Sequence, residues 1–528
     1  MRFFKSFRAL FSKNNYLQAA VLLIICFAAF LFMHWTPFLS DPDSFYHIKI
    51  SQVIADQGII KNFPNLQFTI LKDNFVDHHL LYHLYLAPFV KYISPFWGAK
   101  IGHLILDCLV FLAVFIFLKK FKVKLALPLT LTMFLSSAFV FRMLLIKAQP
   151  ISLILIIICT YLIIKRKHLL LAIASFIYVW AYSGWFLVII LALAYIFIKV
   201  IDEVIKIETP RLNRNLIKNF FKSCFTFDNF KIIIYPLIGI TLGLIINPYF
   251  PKNLYFSFVH IVQIGLINKK SLGIGAEWFP FTPTLLFASI VASIIILCFP
   301  FIFQAVYFKK IDLKSKFLML LTILFLLVTL KSKRNIEYFV PFAVLTAGLT
   351  FQSAFADEKI KNDWKIFTSG LKKLVSLRLV SWVAIIVFTL SGVLVVLKLQ
   401  TQSQTIPLNR LEKSSQWLMV NSSQGKTIFN LRWDRFPMLY FYNSKNFYVA
   451  GLDPTFTYVY NKDLFQKYYD ISKGKLDENS ASIIKKEFNA KLLIATKEDK
   501  KILQAVEKYP SFEKVYEDDE AIIYKINE

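Results

Sequence analysis

Residues 16–58 read YLQAAVLLIICFAAFLFMHWTPFLSDPDSFYHIKISQVIADQG, and the fold class follows from how that stretch divides. Its first half, Tyr16 to Trp35, is apolar and carries no acid, lysine or arginine. A run of about 20 such residues is what a helix needs to cross a bilayer. No small-residue cleavage site follows it, so it reads as a retained span rather than a signal peptide. The second half turns polar and opens on Asp41, Pro42 and Asp43. Asp41 suits a helix N-cap, Pro42 the first helical position and Gly58 the end of the segment. Tyr46, Ile50, Val53 and Ile54 then share one face, the pattern of an amphipathic helix lying at the membrane surface.

The rest of the chain repeats the apolar half of this unit. Its 528 residues are 57% hydrophobic and 18% charged, with a mean hydropathy of +0.55. A water-soluble chain of this length has no means of covering that much apolar surface, so the bilayer is the solvent for most of it. The net charge of +28 is not spread evenly. Basic clusters occur at Arg2–Lys13, Lys119–Lys124, Lys165–Lys167, Lys199–Lys231, Lys309–Lys316 and Lys359–Arg378. They fall in every second connection, as expected of cytoplasmic loops. The region after Thr401 is nearly charge-balanced, which argues against a nucleic-acid-binding arm.

Counting on this rule gives about eleven spans, near 16–36, 100–118, 125–141, 150–164, 168–182, 186–200, 232–247, 282–307, 317–331, 336–354 and 380–398. The N-terminus is then cytoplasmic and everything after Thr401 is outside. LLYHLYLAPFVKYI (80–93) reads as a short or re-entrant piece. The wealth of Phe, Ile and Lys points to a bacterial cytoplasmic membrane. None of the five cysteines falls after Thr401, so disulfides do not hold the outer region together. The expected architecture is a polytopic α-helical membrane domain over 1–400 and a small extracytoplasmic α/β domain over 401–528. In the latter KTIFNL, FYVAGL, AKLLIAT and the pair EKVYED/AIIYKI read as strands, with helices near 457–472, 478–489 and 498–508.

The polar residues gather on the outer side. Asp43 stands in the first turn of the amphipathic segment, beside a wall of spans. NFVDHHLLYHL (74–84) supplies Asp77, His78, His79 and His83, an arrangement suited to a divalent metal or to a proton shuttle. FRMLLIKAQP (141–150) places Arg142 and Lys147 outside, against the insertion rule, where an anionic phosphate or lipid headgroups would compensate them. Trp180, Tyr182 and Trp185 read as an interfacial aromatic belt. The long loop Asn247–Pro283 has Glu277 as its only acid, and its glycines suit a mobile cover. KSKRNIEYFVPF (331–342) sets Arg334 at the outer end of a span, where a guanidinium suits a phosphate fork. Within the spans, His103 and Asp107 are the main ionisable exceptions.

Four of these stretches together resemble the GT-C membrane glycosyltransferases, and within them the catalytic subunit of oligosaccharyltransferase. They are DPDSFYH, GAEWFP, RNIEYFVPF and IFNLRWDRFPMLYFYNSKNFYVAGLDPTF, in the family's order over roughly 40–460. The resemblance implies Asp43 (or Asp41) as the catalytic, metal-contacting aspartate and Glu277 as the acid reaching metal and acceptor. It implies Arg334 on the lipid pyrophosphate, and Trp433 and Asp434 as acceptor-binding residues. Two departures stand out. Lys147-Ala148-Gln149 replaces a second acidic pair, and Arg432-Trp433-Asp434-Arg435-Phe436 replaces the full Trp-Trp-Asp-Tyr-Gly signature.

The expected activity is transfer of a sugar or oligosaccharide from a polyprenyl-(pyro)phosphate donor to a glycan, lipid or protein acceptor at the outer face. Asp43, Glu277 and Asp41 are the catalytic candidates, and Arg334, Arg142 and Lys147 the donor-phosphate ligands. A magnesium or manganese ion would draw on Asp43, Asp77 and His78. A single-sugar transferase is an alternative within the class. A transporter or lipid flippase is the alternative outside it, although its polar groups belong near the bilayer midplane rather than at one edge.

Overall fold

A computed structural model describes residues 14–206, 226–267, 270–374, 376–402 and 405–527. The first basic cluster, the middle of the Lys199–Lys231 loop with Cys224, and residues 268 and 269 lie outside them. The helical part runs α1 (Asn15–His34), β1 (Phe38–Leu39), α2 (Asp43–Gln57), α3 (Leu80–Tyr92), α4 (Pro95–Lys120), α5 (Ala126–Leu131) and α6 (Ser137–Met143). It continues with α7 (Gln149–Ile164), α8 (His168–Ala181), α9 (Leu187–Lys206), α10 (Phe227–Ile245), α11 (Pro283–Val306), α12 (Leu313–Lys331), α13 (Ile336–Ala354), α14 (Glu358–Leu374) and α15 (Leu377–Gln402).

Every expected span falls on one or two of these helices, but they are not equally long. Among the described residues, seven helices are long and apolar enough to cross a membrane, or nine if each of two bent pairs is one span. α7 and α8 have only 16 and 14 residues. The span expected over 125–141 is broken by a bend of 90°, where the Ser136 hydroxyl accepts from Phe139 N–H and starts α6 afresh. Such a side-chain cap offers the backbone an alternative to continuing the previous helix.

Below that break, the chain is held in place by buried polar side chains. His103 Nε2 lies 2.7 Å from the Met143 carbonyl, and Tyr82 Oη 3.0 Å from His103 Nδ1. Asp107 sits 3.6 Å from His103 and 3.8 Å from His34. Lys100, fully buried, donates to the carbonyls of His34, Thr36 and Phe38. Those acceptors lie at and just beyond the end of α1, where helical carbonyls lack partners and a cation is favoured. Residues 34–38 and 143 are thereby pinned, and between them they set the positions of Asp41–Asp43 and Arg142–Lys147.

The C-terminal part comprises β2 (Ile406–Pro407), α16 (Glu412–Asn421), β3 (Thr427–Asn430), α17 (Phe436–Tyr442), β4 (Phe447–Tyr448) and α18 (Pro454–Tyr460). After these come α19 (Lys462–Ser472), α20 (Ser480–Lys486), β5 (Ala490–Thr496), α21 (Lys500–Val506), β6 (Phe512–Glu517) and β7 (Ala521–Ile526). Its sheet has the order β4-β3-β5-β7-β6, with β3 parallel to both neighbours and β7 antiparallel to both of its own. The five strands are those expected from the sequence; α16 and α17 were not expected.

The two parts are sewn together. β1 pairs with β2, Leu39 opposite Ile406, and Asn65 donates to the carbonyls of Ser444 and Asn446 at the sheet edge. α2 does not lie open on a surface as its pattern suggested. Phe45 packs edge-on to Phe96 on one side and to Phe441 of α17 on the other. With Ser44, His47 and Ser51 also buried, α2 is the filling between the helical layer and the C-terminal part. Its end is as expected: Gly58 adopts φ +77° and donates to Ile54, a conformation that favours glycine.

Candidate active site

Four separate segments converge under the C-terminal part. Asp41 and Asp43 come from the start of α2, Arg142 and Lys147 from the turn after α6, Glu277 from the long loop and Arg334 from the α12–α13 turn. Asp41 caps α2 from outside it, its Oδ1 accepting from Ser44 Oγ at 2.5 Å and from Ser44 N at 3.3 Å. Lys147 Nζ bridges the two aspartates, 2.5 Å from Asp41 and 2.7 Å from Asp43. The Asp43 carboxylate is 36% exposed and the lysine side chain 10%. Burial, with the nearby Asp41 charge, raises Asp43 above the ordinary carboxylate range although Lys147 pulls it down. Burial likewise works against the Lys147 ammonium, but Asp41 and Asp43 outweigh it and hold the lysine protonated.

Glu277 forms a second knot. Its Oε2 accepts from Arg142 Nη1 at 2.5 Å and its Oε1 lies 3.4 Å from Arg334. Arg142 also donates through Nε to Glu337, 3.0 Å away and almost wholly buried. Burial opposes ionisation of Glu277, yet Arg334, Arg142 and Lys147 together hold it well below the usual range. The loop is fixed by Ser332 Oγ donating to Glu277 O and by Lys333 N donating to Phe279 O. Arg334 lies over the Trp278 ring, 4.3 Å from its centre, and donates to Tyr182 Oη at 2.9 Å. Arg142 and Lys147 thus each have two carboxylate partners. Arg334 has one long contact and one hydroxyl, and of the three it keeps the most donors for an incoming phosphate.

Two cavities open on these groups. One, of about 130 Å³, is lined by Asp43, His47, Lys147, Tyr182, Glu277 and Arg334 among others. The other, of about 970 Å³, reaches from Asp43 and Glu277 to Trp433 and Asp434 under the C-terminal part. Trp433 Nε1 donates to Gly273 O at 3.2 Å, so it holds the glycine-rich loop. Asp434 takes two bonds from Arg432, at 2.9 and 2.7 Å. Asp453, which lines both cavities, is pushed up to about 6 by burial.

The residues do not fit a divalent cation. Such an ion wants several oxygen ligands, and here Asp41 and Asp43 face an ammonium while Glu277 faces two guanidinium groups. Asp77 is engaged elsewhere. Its Oδ2 lies 2.7 Å from His83 Nδ1 and its Oδ1 accepts from His79 N. His78 packs with its ring tilted against Phe256 and His260. No group of three or more His, Cys, Asp or Glu among the described residues is arranged to hold a metal.

Several of these residues were not singled out from the sequence. Glu337 lies in the first turn of a buried span, close to Arg334 in the same motif, and an acid there is the signal that was available. Tyr182 read as part of an aromatic belt, yet it stacks on His79 and binds Arg334. Trp180 is nearer that description, donating to Gly243 O across to α10. Asp453 is the N-cap of α18, accepting from Thr455 N. His47 gave no signal beyond its place on α2.

No family model matches the sequence, and no curated protein matches it. Solved structures do. The archaeal oligosaccharyltransferase AglB from Archaeoglobus fulgidus, solved with an inhibitory peptide and a dolichol-phosphate, matches at 12% identity with a TM-score of 0.65. That match covers 94% of this chain and 72% of that one. The Archaeoglobus fulgidus oligosaccharyltransferase with Zn and sulfate matches at 12% identity and TM-score 0.61, over 96% and 73%. The mycobacterial arabinofuranosyltransferase AftD matches at 11% identity and TM-score 0.53, over 97% of this chain but 40% of its own. The chain therefore has the fold of the GT-C membrane glycosyltransferases, as the four motifs implied.

Proposed function

We propose that this protein is a glycosyltransferase that takes a sugar or oligosaccharide from a polyprenyl-(pyro)phosphate donor at the outer face of the membrane. One observation carries the reading. On a GT-C fold, Asp43, Lys147, Glu277 and Arg334 converge from four segments on cavities roofed by the C-terminal part. In the proposed reaction the leaving phosphate gathers charge, and Arg334 is the group placed to take it. Asp43 orients the acceptor, and Lys147 supplies beside it the positive charge that a metal ion would otherwise bring. Arg142 holds Glu277 in place from behind. Trp433 lies along the acceptor's route. In this reading residues 401–528 form an extracytoplasmic unit and residues 1–400 the membrane domain.

Within the class, a single-sugar transferase is favoured by one feature over transfer to a peptide sequon: Asp434 is closed off by its two bonds to Arg432.

The test is reconstitution. Full-length protein in proteoliposomes is given polyprenyl-phosphate and polyprenyl-pyrophosphate sugars. Release of the polyprenyl phosphate or pyrophosphate with loss of the sugar is expected, with the donor KM raised about tenfold or more in Arg334→Lys, whose point charge lacks the fork. Donor that crosses the bilayer unchanged would make the protein a flippase instead. An impermeant thiol reagent should label cysteines introduced at exposed positions in 405–527 from outside intact cells.

A further inference from the structure

Resting on that reading, we propose that Asp77, His83 and His47 form a hydrogen-bonded relay whose last nitrogen takes the proton of a hydroxyl acceptor. The relay joins His47 to His83, 36 positions on, and through it to Asp77, wholly inside the protein. His83 Nδ1 lies 2.7 Å from Asp77 Oδ2, and His83 Nε2 lies 2.7 Å from His47 Nδ1. All three residues are buried, and of the three only His47 lines the cavity that holds Asp43, Lys147 and Arg334.

The tautomers follow from the partners. Both oxygens of Asp77 accept, one from His79 N and one from His83, so Asp77 is the accepting end and His83 Nδ1 carries a hydrogen. With His83 neutral, its Nε2 is an acceptor and His47 Nδ1 must donate to it. The other nitrogen of His47, Nε2, then carries a lone pair. No hydrogen bond from a described residue satisfies it. The surroundings keep His47 neutral. Burial, then His83 and Lys147, lower His47 well below its usual range, and the rings of Tyr46, Tyr82 and His79 close the remaining sides.

A carboxylate behind an imidazole that faces a reaction cavity is the arrangement by which a side chain draws a proton from a hydroxyl. Here a second imidazole stands between the two. Of the carboxylates in the cavity, Asp43 is already committed to the Lys147 ammonium and Glu277 to Arg142. In the step proposed, a lone pair of the acceptor oxygen forms the bond to the anomeric carbon. The bond from that carbon to the donor phosphate oxygen breaks, and its electron pair leaves on the phosphate beside Arg334. The acceptor's proton passes to His47 Nε2, and Asp77 steadies the positive charge through His83. Bulk water later takes the proton. The acceptor class that this serves is a hydroxyl, on a sugar or on a serine or threonine.

The experiment begins without substrate. Full-length protein labelled with [15N]histidine is examined in lipid bilayers at pH 8 by solid-state NMR, with His47→Gln to assign the signal. The expected spectrum has His47 protonated at Nδ1 and bare at Nε2, and His83→Phe turns it into a mixture of tautomers. A His47 protonated at Nε2 in the wild type overturns the relay. The second arm is sugar transfer in proteoliposomes to a hydroxyl acceptor, methyl glycosides and a threonine peptide serving as probes. His47→Gln should lower kcat by about 100-fold or more with unchanged melting. Asp77→Asn and His83→Phe should lower kcat with the donor KM unchanged, and in Asp77→Asn the acid limb of the pH profile should move to lower pH, since the charge that favours protonation is gone. His47→Gln at the wild-type rate overturns the proposal. A wild-type protein that spends no polyprenyl donor at all overturns the function reading, and the spectrum then says separately whether the relay exists.

Discussion

Replacing Lys147 with methionine removes an ammonium and keeps the stem that packs around it. Its Nζ is 2.5 Å from Asp41 and 2.7 Å from Asp43, with 10% of the side chain exposed. Removing one partner of a buried ion pair costs about 3–5 kcal/mol because the other charge is left uncompensated. Here two carboxylates would be stranded, but Asp43 is 36% exposed, so water relieves part of the cost and about 2–3 kcal/mol is a fair expectation. The carboxylates escape the rest by protonation. Two like charges with no cation between them raise each other's pKa, so the acid limb of the rate should move to higher pH in Lys147→Met. Asp43 would then spend more of its time neutral, and turnover at pH 7 should fall about 100-fold, the scale typical of losing a placed acid–base group. Lys147→Arg, which keeps the charge in a different shape, should recover part of both. The assay pairs melting in detergent with polyprenyl-phosphate release from proteoliposomes across pH 5–9. If Lys147→Met melts and turns over as the wild type does, the aspartates do not depend on the lysine and the assignment of Lys147 fails.

Other outcomes follow from the same contacts. Asp43→Asn should keep normal melting and lose about 100-fold of turnover; a wild-type rate would remove Asp43 from the chemistry. Asp41→Asn should still cap α2, since Asn caps about as well as Asp, so any loss it shows reports the tether to Lys147 alone; a drop in α2 stability, read by hydrogen exchange, would contradict this. Wild-type transfer should survive EDTA, because the carboxylates already face lysine and arginine; activity abolished by EDTA and restored by manganese would refute that. Asp453 is held at about 6, above its unfolded value, so the folded state binds its proton more tightly and this site loses stability as pH rises through that value. Asp453→Asn should therefore raise the melting temperature above pH 6, with the gain shrinking toward pH 4; a gain that grows on acidification would show the sign to be wrong.

The parts of this protein legible in its sequence are those fixed by solvent. Apolar runs and alternating basic clusters place helices and loops because lipid and water sort residues one at a time. Asp43, Glu277 and Arg334 stand out for the same reason, being charges at the edge of an apolar wall. Partnership is another matter. Arg142 reads as a cation waiting for phosphate until Glu337, 195 residues on, is seen beside it. His47 and His83 lie 36 residues apart and meet only because α2 is pressed against α3 under the C-terminal part. The amphipathic pattern of α2 predicts one buried face and one wet one. It cannot register a second buried face, since Phe441 arrives from 396 positions away in a part of the chain that folds on its own sheet. The bend at Ser136 is invisible for a related reason: one hydroxyl decides it against a continuous apolar run.

The charges of the site also say where each substrate would lie. Three cations stand among four carboxylates, and two of those cations are each shared by a pair of acids: Lys147 between Asp41 and Asp43, Arg142 between Glu277 and Glu337. With its acids ionised, each of those knots carries one more negative than positive charge, and a phosphate brought to either would meet more repulsion than attraction. Arg334 differs, with its face on Trp278 and its hydrogen-bonding edge turned to Tyr182. In the proposed reaction the donor phosphate therefore belongs on the Arg334 and Tyr182 side. The acceptor belongs on the opposite wall, near Asp43 and His47, with the larger cavity as its way in past Trp433. Glu277 and Trp278 line both cavities, so the loop that carries them is the partition across which the sugar would pass. A loop in that position must be held still, and Ser332, Lys333 and Trp433 each give it a hydrogen bond.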